Sequence, residues 1–154
     1  MKRNSIIMLA FLGLLLTACS GGGPAKEQGA KATASKFVTE LSDESFKKLI
    51  FDYEKNEDFR FDGDKPAIID FYADWCAPCR QLSPLVESIA EEYSGKINVY
   101  KVDTDKEKKL ANALGITGLP TLLFIPSEGM PRSSLGLISR EDMVKAINEI
   151  MLVK

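Results

Sequence analysis

Cys76 and Cys79, separated by two residues, are the side chains of this sequence best placed to do chemistry. They stand in Phe71-Tyr72-Ala73-Asp74-Trp75-Cys76-Ala77-Pro78-Cys79-Arg80, between an apolar strand pattern and a helical one. Such a pair bridges with little backbone movement, and at a strand-to-helix junction it reads as a redox couple. The unpaired N–H groups of a helix start carry partial positive charge and favour a thiolate over a thiol. Cys76 is therefore the expected nucleophile. Pro78 falls in the first helical turn, where proline is best tolerated. Other uses of the pair fare worse. A zinc site needs four ligands, and the chain offers no histidine and a third cysteine, Cys19, only far from the pair, near the N-terminus. No metal or cofactor is expected. Covalent haem attachment needs a histidine after the second cysteine, where Arg80 stands instead. A purely structural disulfide stays open, although two-residue loops make strained staples.

The elements that must position the pair follow from periodicity. Lys36–Leu41 alternates weakly and suits a first strand. Ser42 can cap a helix whose apolar face is Phe46, Leu49, Ile50 and Tyr53. Lys55–Lys65 is polar and reads as a loop, with Phe59 and Phe61 tucked inward. Pro66–Ala73 is a buried strand by its near-continuous apolar run. Only Asp70 interrupts it. A lone buried carboxylate is costly when charged, so its pKa is expected to rise toward neutrality; the alternative is a strand-end residue turned to solvent.

After the pair, Leu82, Leu85, Val86, Ile89, Ala90 and Tyr93 keep helical spacing. Pro84 should kink that helix and Gly95 end it. Ile97–Val102 is the next strand. Thr104 or Asp105 can cap a short helix through Leu114, which Gly115 stops. Thr121–Ile125 is an apolar strand, and Ser133–Leu137 a short one. Ser139-Arg140-Glu141-Asp142 has capping-box spacing, ahead of a last helix with Met143, Ala146, Ile147, Ile150 and Met151 inward. The order implies an α/β domain, a mixed sheet of about five strands with four helices on its two faces.

Residues 1–18 read as a targeting segment. Lys2 and Arg3 precede an uncharged apolar run, Ile6–Leu16, too short to span a bilayer as a stable helix. It ends in Leu16-Thr17-Ala18-Cys19, which resembles the lipobox of bacterial lipoproteins. That resemblance makes Cys19 an acylated first residue of the mature chain; an ordinary secretory signal with an incidental cysteine is the alternative. Residues 19–33 then form the lipidated cysteine and a Gly-, Ala- and Lys-rich tether that cannot bury apolar area. Residues 34–154 are the folded domain.

The 154 residues suffice for one such domain. Composition is ordinary for a globular chain, 45% hydrophobic and 27% charged. Taking Lys2 and Arg3 from the formal charge of −2 leaves −4. A mildly acidic domain argues against nucleic-acid binding.

From about Lys36 to Val153 the chain resembles thioredoxin. Asp70 lies six residues before Cys76, as the family's buried aspartate does. Pro84 matches the proline of the active-site helix, and Lys101 the lysine beside that aspartate. Gly118-Leu119-Pro120-Thr121 looks like the loop whose cis-proline faces the disulfide. Gly136 resembles the glycine bordering the substrate groove. The sequence departs from the family in Ala77-Pro78, where most members have Gly-Pro, in a longer loop over Lys55–Lys65, and in its leader.

The resemblance implies a thioredoxin fold and a monomeric domain that exchanges disulfides with client proteins. Cys76 attacks, Cys79 resolves the mixed disulfide, and Asp70 takes the proton of Cys79, with Lys101 moderating its pKa. Cys79 is expected to be the more buried cysteine. Trp75 packs beside the disulfide or is ordinary core. Ala77, Pro78, Gly118, Leu119, Pro120 and Gly136 border the client. With no histidine near the pair, a reductant is expected, of potential close to thioredoxin's. Outside the cytoplasm it needs a membrane-embedded thiol donor as partner, besides its clients and the membrane that holds its anchor. A reductase serving cytochrome c maturation and a redox-silent binding module are the other readings.

Overall fold

The computed structural model describes residues 35–151. The expectations on the leader, Cys19 and the tether lie outside the described residues. Nine elements follow one another: β1 (Val38–Glu40), α1 (Asp43–Leu49), β2 (Ala67–Tyr72), α2 (Ala77–Glu92), β3 (Asn98–Asp103), α3 (Lys108–Ala113), β4 (Thr121–Ile125), β5 (Arg132–Leu135) and α4 (Arg140–Ile150). The strands form one mixed sheet in the order β1-β3-β2-β4-β5. β1 and β2 pair with β3 in parallel, whereas β4 is antiparallel to both β2 and β5. The site-bearing strand β2 is thus central and covered on both faces.

Alternation along β2 divides the core. Ile68 joins Leu82, Val86 and Ile89 of α2 and Met143 and Ile147 of α4 on one face. Ala67, Ile69 and Phe71 join Phe46 of α1 and Leu110 of α3 on the other. A strand buried on both sides explains its unbroken apolar run. Phe71, with no exposed surface, is the kind of side chain whose truncation to alanine costs about 3–5 kcal/mol.

α2 starts where its sequence dictates. Cys76 is its N-cap, Pro78 lies in the first turn, and the helix continues through Pro84. Proline removes one helical hydrogen bond there, yet Leu82, Val86 and Ile89 on either side of it stay buried. Gly95 follows the helix end at φ 81°, a conformation that suits glycine.

Several boundaries differ from the sequence expectation. α1 ends at Leu49, so Tyr53 is not on its face. Instead Tyr53 returns over the helix from a turn, its ring tilted against Phe46 at 6.3 Å and its hydroxyl donating to Asp43. The N-terminus of α1 has a true capping box, but Ser42 is closed by Ser45. α3 starts at Lys108 with no side-chain cap, not at Thr104 or Asp105. The buried Asp103 is the cause: its carboxylate accepts from the Asp105 N–H and pairs with Lys106, holding residues 103–107 in a turn. β1 is shorter than expected, and β5 ends at Leu135 because Gly136 turns the chain at φ 88°. Ser139 caps α4 through the Asp142 N–H, but the Asp142 carboxylate accepts from the Ser139 hydroxyl rather than from its backbone.

Candidate functional site

Cys76 and Cys79 form a disulfide across the first turn of α2, with Cα atoms 5.3 Å apart. The Cys79 N–H donates to Cys76 Sγ at 3.1 Å. One free N–H of the helix start is therefore aimed at the expected nucleophile. The cysteines pack with Ala73, Tyr72 and Leu119. Both are 3% exposed, so Cys79 is not the more buried of the two as expected. With the disulfide closed, Ala73, Tyr72 and Leu119 cover the pair as a unit.

Asp70 lies on β2 two residues beyond Ile68, hence on the face that α2 covers. It is 5% exposed, and its Oδ1 has no hydrogen-bond partner among the described residues. Burial pushes its carboxyl from 3.8 to about 7, while attraction to Lys101 pulls the other way. Lys101 is the register partner of Asp70 on β3. Its ammonium lies 5.7 Å from the centre of the Tyr72 ring. A carboxyl that gains and loses a proton near neutrality, beneath a dithiol helix, is suited to general acid–base work.

The opposite wall is the loop before β4. The Leu119–Pro120 peptide bond is cis. Thr121 Oγ1 donates to the Gly118 carbonyl at 2.7 Å, and the Gly136 N–H donates to the Pro120 carbonyl at 2.8 Å. These two bonds tie Gly118, Pro120 and Gly136 into one frame. A Cβ on Gly118 would meet Leu135 Cδ1 at 2.9 Å, so the loop and the β5 side chain lie in close contact there, and a larger residue would push the exposed Leu135 side chain aside. Ala77 and Pro78 are exposed at the mouth.

Trp75 is 69% exposed and is not core. Its indole Nε1–H donates to Asp105 at 2.8 Å. Arg80 is held differently, with Nη1 donating to the Asp74 carbonyl at 2.8 Å. Sequence reasoning missed three participants. Asp105 reads only as a helix cap, Tyr72 as the end of a strand, and Leu135 as a strand residue. None carries a local signal, because each acts on a partner distant in the chain or on its neighbour's packing. Among the described residues, no group of three or more histidine, cysteine, aspartate or glutamate side chains is placed to hold a metal ion.

The thioredoxin family model matches residues 37–149, spanning every element of the sheet and nearly all of α4. The chain belongs to the thioredoxin family. A thioredoxin of Borreliella burgdorferi is 45% identical over 109 residues, covering 71% of this chain and 93% of that one. A thioredoxin of Porphyra purpurea is 33% identical over 112 residues, covering 73% and 95%. The crystal structure of chloroplastic thioredoxin z superposes with a TM-score of 0.62 at 30% identity, over 73% of this chain and 93% of that one. The five-stranded mixed sheet with four helices is the thioredoxin fold. Family membership with the Cys76–Cys79 pair makes the chain a thiol–disulfide oxidoreductase, and thioredoxins act on disulfide-containing client proteins.

Proposed function

We propose that this thioredoxin-family protein is a lipid-anchored, extracytoplasmic reductase of client disulfides, resupplied by a membrane-embedded thiol donor. The leader supports the anchored placement: a basic start, an apolar run and Leu16-Thr17-Ala18-Cys19 in order. One observation carries the chemistry. A disulfide sits at a helix N-terminus with a buried carboxyl, Asp70, whose Oδ1 has no hydrogen-bond partner among the described residues, on the sheet face beneath that helix.

In the reduced protein the Cys76 thiolate attacks one sulfur of the client disulfide. The client S–S bond breaks, a mixed disulfide forms at Cys76, and the first client sulfur leaves as thiolate. Asp70, ionised and close to its transition, accepts the proton of Cys79 through a water. The Cys79 thiolate then attacks Cys76 Sγ, closes the internal disulfide and expels the second client thiolate. Two electrons pass from the dithiol to the client, and the donor returns two. Leu119 and the cis-Pro120 loop hold the client segment against the sulfurs, with Gly118 and Gly136 keeping that wall free of side chains.

Trapping tests this reading directly. Cys79→Ala lacks the resolving thiol, so mixed disulfides at Cys76 should persist in the intact cell envelope and resolve with reductant. Clients confined to the cytoplasm, or none beyond those seen with a Cys76→Ala, Cys79→Ala double variant, would remove it.

A further inference from the structure

The long loop after α1 has no part in the dithiol chemistry, yet it is firmly held. Phe51 and Phe59 stack tilted with ring centres 5.1 Å apart. The Asp62 N–H donates to the Ile50 carbonyl at 2.9 Å and closes the loop base. Glu54 accepts from Lys47 of α1 and from Lys109 of α3. So fixed, the loop walls one side of a groove of about 500 Å³. Phe51, Phe59, Ile116, Leu123, Met130 and Leu135 are prominent in its lining. Met130 is 68% exposed and Leu135 66%. Large apolar side chains left exposed in one groove mark an interaction surface, and methionine adapts to varied apolar partners.

The groove is continuous with the redox face. Leu135, part of its lining, is also the side chain that closes on Gly118. Gly118 leads into Leu119, which packs on the disulfide. β5 is also an edge strand of the sheet, whose outer backbone groups can pair with an extended chain. We propose that this groove, with Phe51 and Phe59 of the loop facing Met130, Ser133 and Leu135 across it, is a second client subsite, which takes an apolar, extended stretch of client chain flanking the cysteine bound to Cys76. The proposal deepens the reductase reading and rests on it. Continuity with the wall that meets the reacting sulfur favours a client over a second copy of the chain.

The test uses the full chain and two synthetic peptides with the same internal disulfide. One carries Leu-Phe-Leu extensions and the other Gly-Ser extensions. Wild type should reduce the apolar peptide with kcat/KM about tenfold higher, the equivalent of seating one large apolar side chain. Met130→Glu and Ser133→Glu place a carboxylate in the groove at exposed positions and should each erase the preference through KM. Both should reduce oxidised glutathione, which is too small to reach the groove, at the wild-type rate. Equal rates on the two peptides in wild type, or a preference that survives both substitutions, would overturn the subsite. So would a wild-type dimer in sedimentation that Met130→Glu dissolves. Inertness of wild type toward oxidised glutathione and both peptides is a separate result, which would sink the reductase reading itself.

Discussion

Asp70 and Lys101 are register partners in the parallel pairing of β2 with β3, and both lie on the sheet face that carries α2. The lysine tempers the buried carboxyl without neutralising it: burial remains the larger effect, and the group settles at about 7. A full ion pair would hold the aspartate charged at all working pH and leave it a poor acceptor. An apolar partner would hold it protonated.

The pH dependence of that pairing is testable in two ways. The folded-state pKa lies above the ordinary 3.8, so the folded protein binds the proton more tightly. Its contribution to stability should therefore fall as pH rises from about 4 to about 7 and level off above, a penalty of roughly 4 kcal/mol at alkaline pH from this group alone. Asp70→Asn removes the titration. In urea unfolding of the oxidised protein, the variant should lose that slope and exceed wild type in stability above about pH 8. In stopped-flow reduction of a protein disulfide near neutral pH, it should slow resolution of the mixed disulfide more than its formation. Unchanged kinetics would take Asp70 out of the mechanism.

The indole of Trp75 reports on the contact face because it is the only tryptophan in the chain. Its bond to Asp105 bridges thirty residues and fixes an otherwise exposed ring. Asp105→Ala should raise quenching of the Trp75 emission by iodide and raise KM for protein disulfides a few-fold. Stability should change by no more than about 1 kcal/mol, since the bond is solvent-accessible. Steady-state quenching and client kinetics on one preparation check both. Unaltered quenching would show that the bond does not restrain the ring.

Much of this site is legible locally. Asp70 stands out as a charge within an apolar strand, Cys76 and Cys79 by spacing, Ser42 by its position before a 3.6-residue pattern. Lys101 does not, since only strand register places it opposite Asp70, and resemblance alone suggests the pairing. Trp75 reads as contact surface with core as the alternative, because its exposure depends on what lies across the sheet end. The start of α3 is misplaced by local reading for a similar reason. Thr104 and Asp105 are good caps in isolation, but the Asp103 carboxylate claims the backbone first. Helical and strand periods are encoded in neighbours, whereas these outcomes are decided by groups that meet through space.

The proposed anchor rests on Cys19 and the three residues before it. Metabolic labelling with a fatty acid should mark wild type and leave Cys19→Ser unlabelled and released from the membrane. Several acyl chains are needed for stable anchoring, since one alone binds only marginally. Equal labelling of the variant would return the leader to an ordinary secretory signal and remove the membrane from the proposed function.

The direction of electron flow depends on how far the reduced form is stabilised, chiefly through the Cys76 thiolate. Strong oxidants hold that thiolate with additional charge or donors. Here the first turn of α2 offers little beyond its backbone. Ala77 and Pro78, between the cysteines, bear no charge and no side-chain donor. The nearest cation in sequence, Arg80, gives an N–H to the Asp74 carbonyl and is exposed. No histidine exists in the chain. What remains is the helix start, with the Cys79 N–H on Cys76 Sγ. The potential should thus lie close to thioredoxin's, about −270 mV, rather than the strong oxidant's, about −120 mV. Equilibrating the protein with glutathione buffers and reading the ratio of reduced to oxidised pair measures it. The substitution Pro78→His should raise the potential by adding a donor beside the thiolate. A wild-type value near that of the strong oxidant would reverse the proposed direction and make disulfide formation, without a membrane thiol donor, the function to test.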